Sequence, residues 1–321
     1  MTYLQTPDSK AVSAQTDAKM ALPVLVASLA SIAFLIGMHL VHGTDYVGVD
    51  NDDVMRLVQV RDLMAGQSWF DLTQYRLGLE SGTPMHWSRL IDAPIALLIG
   101  LFTLFMDAGE AEVAALFVWP LLLVVPLFVA IAAAGRNFGD RPGMYVALFL
   151  GAFFLIVHHR FRPGALDHHN VQLVLVMLMM AGITNPRLSG RWCTVAGVSA
   201  ALAIAIGAET MPVVAVACAA MAVMWAVLGS SAQVGARSFG LSFAATLAAC
   251  FYLTTPPVAY GSRACDAFSG GFYLLGTTGG ALLFILAARF SEKSRHFRLS
   301  ALFVGGACIA AAAAIIVPAG L

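Results

Sequence analysis

Charge is what this chain has least of. Only 11% of its 321 residues are Asp, Glu, Lys or Arg, against about 25% in soluble domains, so a water-exposed globular surface is excluded. The charges present cancel to a formal net charge of zero, which excludes the basic footprint of a nucleic-acid binder. None of the five cysteines (Cys193, Cys218, Cys250, Cys265, Cys308) stands in C-x-x-C spacing, and four lie in apolar runs. Neither a disulfide framework nor a zinc cluster follows. Hydrocarbon fills the chain instead: 60% of residues are hydrophobic, and the mean hydropathy is +0.82. That composition specifies an all-α, multi-pass membrane protein.

Residues 1–20 are polar and are expected to form a disordered cytoplasmic tail, followed by a membrane domain over 21–321. The apolar run Ala21–Leu40 is long enough for a retained signal-anchor. Further runs predict spans at 112–135, 142–158, 170–186, 193–209, 211–229, 238–255, 272–290 and 299–319, nine in all. Ile91–Met106, with Asp92 and Pro94 at its start, is short for a span. If it does not cross, the linkers carrying Arg136 and Arg141, Arg187 and Arg191, Arg237, and Lys293, Arg295 and Arg298 share the cytoplasmic side with Lys10 and Lys19. If it crosses, each of those linkers lies outside, against the positive-inside rule. Residues 91–106 are therefore read as an interfacial helix on the outer side. Only Asp8, Asp17, Asp140 and Glu292 then remain inside, and every other acid faces the first external loop (43–111), the second (159–169) or later outer turns. The Ala- and Gly-rich spans suit a bacterial inner membrane, with the N-terminus cytoplasmic and the acids periplasmic.

Two polar clusters stand out, because ionisable groups near a bilayer are costly and read as functional. The first is Asp50-Asn51-Asp52-Asp53. Asn51 or Asp52 suits the N-cap of a helix over 52–66 that carries Arg56 and stops at Gly66. Three carboxylates at its start point to a metal or substrate role, the plainer alternative being a helix cap with solvated neighbours. Further on, His86, Trp87 and Arg89 join an aromatic face to groups suited to phosphate or sugar, or else form an interfacial anchor.

The second cluster is Asp167-His168-His169, after a turn at Pro163-Gly164. Mixed carboxylate and imidazole ligation suits Mn²⁺ or Zn²⁺, and carboxylate alone suits Mg²⁺. Arg160 and Arg162 are suited to an anionic leaving group or to lipid headgroups. Glu209, between two spans, reads as a helix-end residue, and Asp266 as a local partner of Arg263.

At these two clusters the chain resembles the GT-C superfamily of integral-membrane glycosyltransferases, and within it the catalytic subunit of oligosaccharyltransferase and its single-subunit bacterial and archaeal relatives. Asn51-Asp52, eight residues, then Arg61-Asp62-Leu63-Met64-Ala65-Gly66 is similar to the family's first external motif. Arg160, three residues, Gly164, two residues, then Asp167-His168-His169 is similar to its second, which takes a D-x-H form in archaeal members. The resemblance implies Asp52, Asp167 and His169 as ligands of a divalent metal, Mn²⁺ or Mg²⁺. It covers about residues 40–210. The Trp-Trp-Asp-type acceptor motif of longer members has no counterpart here, since the chain has no Trp-Trp pair. Their later external loop with an acceptor-binding Glu is not recognisable either. A short or truncated member is implied.

The expected function is transfer of a sugar from a polyprenyl-phosphate- or pyrophosphate-linked donor to an acceptor on the non-cytoplasmic face, with inversion. Asp53 or Asp50 is expected as general base. Arg160, supported by Arg162 or Arg89, would stabilise the phosphate, and His86, Trp87, Arg56 and His168 would complete the substrate contacts. Membrane lipids are expected partners. One alternative is a transporter or flippase of an anionic or lipid-linked substrate, although transporters place polar groups at mid-bilayer. Another is a non-catalytic GT-C-like subunit that needs a partner.

Overall fold

The computed structural model describes residues 9–316 except 44, 49, 79 and 262–266. Helix α1 (Ser9–His42) contains the first long apolar run, Met20–His42. Residues 9–19, expected in the tail, continue this helix, while residues 1–8 lie outside the described residues. Leu22, Leu25, Val26 and Leu29 stay exposed along α1, which suits a helix facing lipid.

The first external segment folds into α2 (Asn51–Met64), a short antiparallel ladder and α3 (Arg89–Phe102). The ladder pairs β1 (Thr73–Gln74) with β2 (Thr83–Pro84), Thr73 opposite Pro84. Ser88 caps α3 by accepting the Leu90 N–H, and Ile91, Ile95 and Ile99 form its buried stripe. Its 14 residues reach about 21 Å at 1.5 Å each, short of the roughly 30 Å hydrocarbon layer. Residues 91–106, expected as an interfacial helix, are not among the runs long and apolar enough to cross a bilayer in the described residues.

The remaining helices are α4 (Ala108–Leu122), α5 (Val124–Val157), α6 (His169–Ile183), α7 (Gly190–Ile206), α8 (Met211–Leu228), α9 (Gln233–Thr254), α10 (Gly270–Phe290) and α11 (Arg295–Ile316). Five runs are long and apolar enough to cross a bilayer: Met20–His42, Ala108–Val157, Ala208–Thr254, Gly270–Phe290 and Arg295–Ile315. His169–Ile183 and Gly190–Ile206 are shorter apolar helices. The expected spans 112–135 and 142–158 are two arms of one run, as are 211–229 and 238–255.

Helix α5 is a hairpin. Its backbone leaves helical geometry at Gly139 and Asp140, just before Pro142. The arms close so tightly that a Cβ on Gly135 would lie 2.5 Å from the Ala147 Cβ and 2.7 Å from the Gly143 carbonyl oxygen. Helices α9 and α10 meet the same way, since a Cβ on Gly240 would lie 2.6 Å from the Gly280 oxygen. Lipid is as apolar as leucine, so such close backbone approach is what holds membrane helices together.

One core joins α3, α4 and α6–α10 around Met179, Ala200, Trp225 and Phe239. A second packs α1 on α5 through Leu35, Phe128, Met144 and Leu148. The C-terminal ends of α1, α5, α7 and α9 and the N-terminal ends of α6, α8 and α10 gather at one end of the bundle. Helices α2 and α3 lie at that end too.

Candidate functional site

The two polar clusters meet at this end, and Asp53 joins them. It is the third residue of α2, with its side chain turned into the protein. Its Oδ1 accepts the backbone N–H groups of Leu166 and Asp167, each at 2.8 Å. Beside this seam the Gly48 N–H donates to the Gly164 carbonyl at 2.8 Å. Gly164 has φ 91°, which glycine alone adopts without strain. Burial pushes the Asp53 carboxyl up, against the backbone N–H groups of Asp167 and Leu166 that pull it down. Expected as a base, Asp53 is instead a buried brace for the second segment.

Asp50, rather than Asn51 or Asp52, caps α2, and its Oδ1 accepts the Asp52 N–H at 3.2 Å. Its other oxygen meets Arg160. One guanidinium nitrogen, Nη1, lies 2.9 Å from Asp50 Oδ2 and 3.0 Å from Asp167 Oδ2. Arg160 and Asp50 keep 23% and 27% of their side-chain surface exposed, and Asp167 keeps 1%. The arginine therefore faces solvent with two carboxylates behind it.

Asp167 Oδ1 lies 2.6 Å from His168 Nδ1. That separation requires the proton on Nδ1, so Arg56 Nη2, 3.2 Å from the same nitrogen, is a neighbouring charge and not a donor to it. Burial alone would raise the Asp167 carboxyl, but the hydrogen bond and charge of His168, then His169 and Arg56, bring it down to about 2. Burial pulls the His168 imidazole down, yet contact with Asp167 and Glu209 outweighs this and raises it. His168 Nε2 is buried without a hydrogen-bond partner, and Glu209 Oε1 stands 3.5 Å away, beyond good hydrogen-bond length.

His169 is set differently. Gln172 Nε2 donates to the Gly207 carbonyl (3.3 Å) and to Glu209 Oε2 (3.0 Å). This orients the Gln172 amide with Oε1 toward His169 Nδ1, at 3.0 Å. The proton of neutral His169 thus belongs on Nδ1, leaving an Nε2 lone pair 3.3 Å from Asp167 Oδ2. Asp167 Oδ2 already meets the Arg160 guanidinium at 3.0 Å, and an imidazole whose far N–H is held by an amide oxygen is a setting in which metal ligands are also found. The Asp52 carboxylate, half-buried on the first turn of α2, has no hydrogen bond or ion pair among the described residues. The donor chemistry fits a divalent ion. Even so, no group of three or more His, Cys, Asp or Glu is gathered to hold one among the described residues.

The other expected residues divide. Arg89 is a correction. Fully buried, it donates to Asp92, to Gln67 and to the backbone of Trp69, Asp71 and Gln59, so its donors are spent on protein. Arg56, also buried, pairs with Asp92 at 2.9 Å and lies 4.4 Å from the Trp87 ring centroid. Trp87 is buried between Arg56 and His168, its ring 6.1 Å from the imidazole. These side chains form the floor of the site. His86 is exposed and, with Phe70, Thr255 and Phe268, lines a cavity of about 420 Å³. Arg162 turns away from Arg160 into a second cavity of about 370 Å³, with His39, His42 and His159. Glu209, read as a helix-end residue, is instead brought to His168 and Gln172. Its signal was an acid bracketed by Gly207 and Pro212 on the same face as the others. Asp266 and Arg263 lie outside the described residues.

No protein-family model and no curated protein matches this sequence. The backbone, however, superposes on archaeal oligosaccharyltransferase AglB from Archaeoglobus fulgidus in complex with an inhibitory peptide and a dolichol-phosphate, with TM-score 0.65 over 91% of this chain at 14% identity. The fold is GT-C-like. A second structure of the Archaeoglobus fulgidus oligosaccharyltransferase, a complex with Zn and sulfate, gives TM-score 0.62 over 92% of this chain at 16% identity. The chain spans 37% and 39% of the length of these two proteins.

Proposed function

We propose that the chain is a membrane glycosyltransferase. It moves a sugar from a polyprenyl-phosphate- or pyrophosphate-linked donor to an acceptor on the non-cytoplasmic face, with inversion at the anomeric carbon. In this reading the site faces the periplasm of a bacterial inner membrane. The observation that carries it is the Arg160 guanidinium, partly exposed to solvent and backed by Asp50 and Asp167, on a GT-C-like fold. The dolichol-phosphate in one similar structure supports a lipid-linked donor, and the Zn in the other supports a divalent ion.

The donor phosphate competes with the two carboxylates for Arg160, whose planar fork suits phosphate oxygens. As the bond from the anomeric carbon to the phosphate oxygen breaks, the electron pair stays on phosphate, where Arg160 stabilises it. The acceptor hydroxyl attacks from the opposite face, and its proton passes to Asp50 once that partly exposed carboxylate, released by Arg160, has swung to the acceptor side. Asp53 and His168 are positioning residues that hold the backbone and carboxylate of Asp167. Asp167 and His169, with Asp52 as third donor, are the residues that would hold Mn²⁺ or Mg²⁺. When bound, the ion supplies further neutralisation of phosphate charge. An apolar cavity of about 410 Å³ between α8, α9 and α10, lined by Phe239, Phe243 and Phe272, suits the donor's hydrocarbon tail.

The test is transfer from synthetic polyprenyl-pyrophosphate sugars to candidate acceptors by the purified chain and its Arg160→Gln and Asp50→Asn variants. Transfer by the wild type that both substitutions abolish supports the reading. Absence of transfer, with movement of the same lipid across vesicles carrying the protein, would replace it with a flippase.

A further inference from the structure

The opposite end of the bundle carries a polar cavity that the glycosyltransferase reading does not use. It has a volume of about 340 Å³ and is lined by Met20, Arg136, Asn137, Asp140, Arg187 and Trp192, among others. Three elements build it: the start of the apolar run of α1, the bend of α5 and the turn between α6 and α7. Two guanidiniums face one carboxylate, so the lining is net positive. Arg187 is exposed and makes no ion pair or side-chain hydrogen bond among the described residues. The walls are held in place. Asn137 Nδ2 donates to the Ala181 carbonyl (2.8 Å) and to Thr184 Oγ1 (3.1 Å), tying α5 to α6. Asp140 and Leu188, the non-glycine residues with positive φ among those described, lie in the two turns that shape the cavity. Such conformations persist only where the surroundings impose them.

We infer that this cavity binds the phosphate headgroup of an anionic membrane lipid. Two arginines on separate elements suit phosphate oxygens, and basic pockets between membrane helices are recognised sites for anionic headgroups. Met20 begins the first apolar run and Trp192 offers an amphipathic ring, so the mouth opens at the edge of the hydrocarbon. A lipid can therefore enter sideways with its tails left in the bilayer, which free phosphate does not need.

The full chain is purified into nanodiscs of phosphatidylcholine with or without phosphatidylglycerol, and retained lipids are counted by native mass spectrometry. A lining with one net positive charge corresponds to roughly a fivefold preference for the anionic lipid. Arg187→Gln, at an exposed position, removes it, and adding Arg136→Gln does not restore it. Arg191→Gln, in the first turn of α7 and outside the cavity, leaves it unchanged. A wild type without preference, or an Arg191→Gln loss equal to that of Arg187→Gln, overturns the cavity assignment. If inorganic phosphate displaces the retained lipid at equal concentration, the site recognises free phosphate and the lipid assignment fails.

Discussion

Asp53 holds Asp167 in place. Its carboxylate takes the backbone N–H groups of Leu166 and Asp167, each at 2.8 Å, across more than a hundred residues of sequence. The contacts of Asp167 depend on this seam, and Asp167 is where Arg160, His168 and His169 converge.

Replacing Asp53 by Ala strands two buried N–H donors. At about 1–3 kcal/mol for each unsatisfied buried group, the cost is about 2–6 kcal/mol. The expected outcome is a lowered thermal midpoint in detergent together with lost activity. Unchanged stability would show that the seam is dispensable.

The two arginines once given the same task separate. Arg89→Gln breaks a fully buried ion pair with Asp92, a change that typically costs about 3–5 kcal/mol. Arg160→Gln removes a partly exposed arginine from one partly exposed and one buried carboxylate, so it costs less stability than the fully buried Arg89 pair. It removes the phosphate's main protein cation, with an expected loss of about a hundredfold or more in turnover. Thermal melts and turnover on both variants distinguish the roles, and a folded, active Arg89→Gln would contradict the placement of that side chain.

The Asp167–His168 pair makes stability depend on pH. Asp167 is depressed to about 2 from 3.8, so its contribution is complete above about pH 4 and is lost as pH falls toward 2. His168 is raised above 6.5, so its contribution is complete below pH 6.5 and is lost as pH rises through its folded value. Metal-free protein is therefore most stable between these limits, and His168→Gln flattens the alkaline side of the profile. Thermal melts across pH in a chelating buffer check this. An alkaline limb unchanged by His168→Gln would assign it to another group.

Much of this was legible in the sequence, for identifiable reasons. Span lengths, the bend at Asp140-Arg141-Pro142 and the shortness of the helix after Arg89 follow from runs of apolar residues and their breakers. That the two acidic clusters share one end of the bundle followed from the basic linkers. Which of three adjacent residues caps α2 was not legible, since Asp50, Asn51 and Asp52 are all good caps. Arg89 and Arg160 look alike in sequence, and only tertiary burial separates a clamp from a reachable cation. Glu209 reaches His168 through the packing of α6, α7 and α8, which no local pattern announces.

The account turns on one claim, that the first and second external segments build a single cation-binding site. The direct measurement is Mn²⁺ binding by the purified wild type and by Asp167→Ala, His169→Ala and Asp52→Ala. The account predicts one site in the wild type, lost in each variant, while Asp52→Ala and His169→Ala melt close to the wild type in chelator and Asp167→Ala, which loses its buried pair with His168, melts lower. A wild type that binds no divalent ion, or an Asp52→Ala that binds as well as wild type while Asp167→Ala does not, would contradict it.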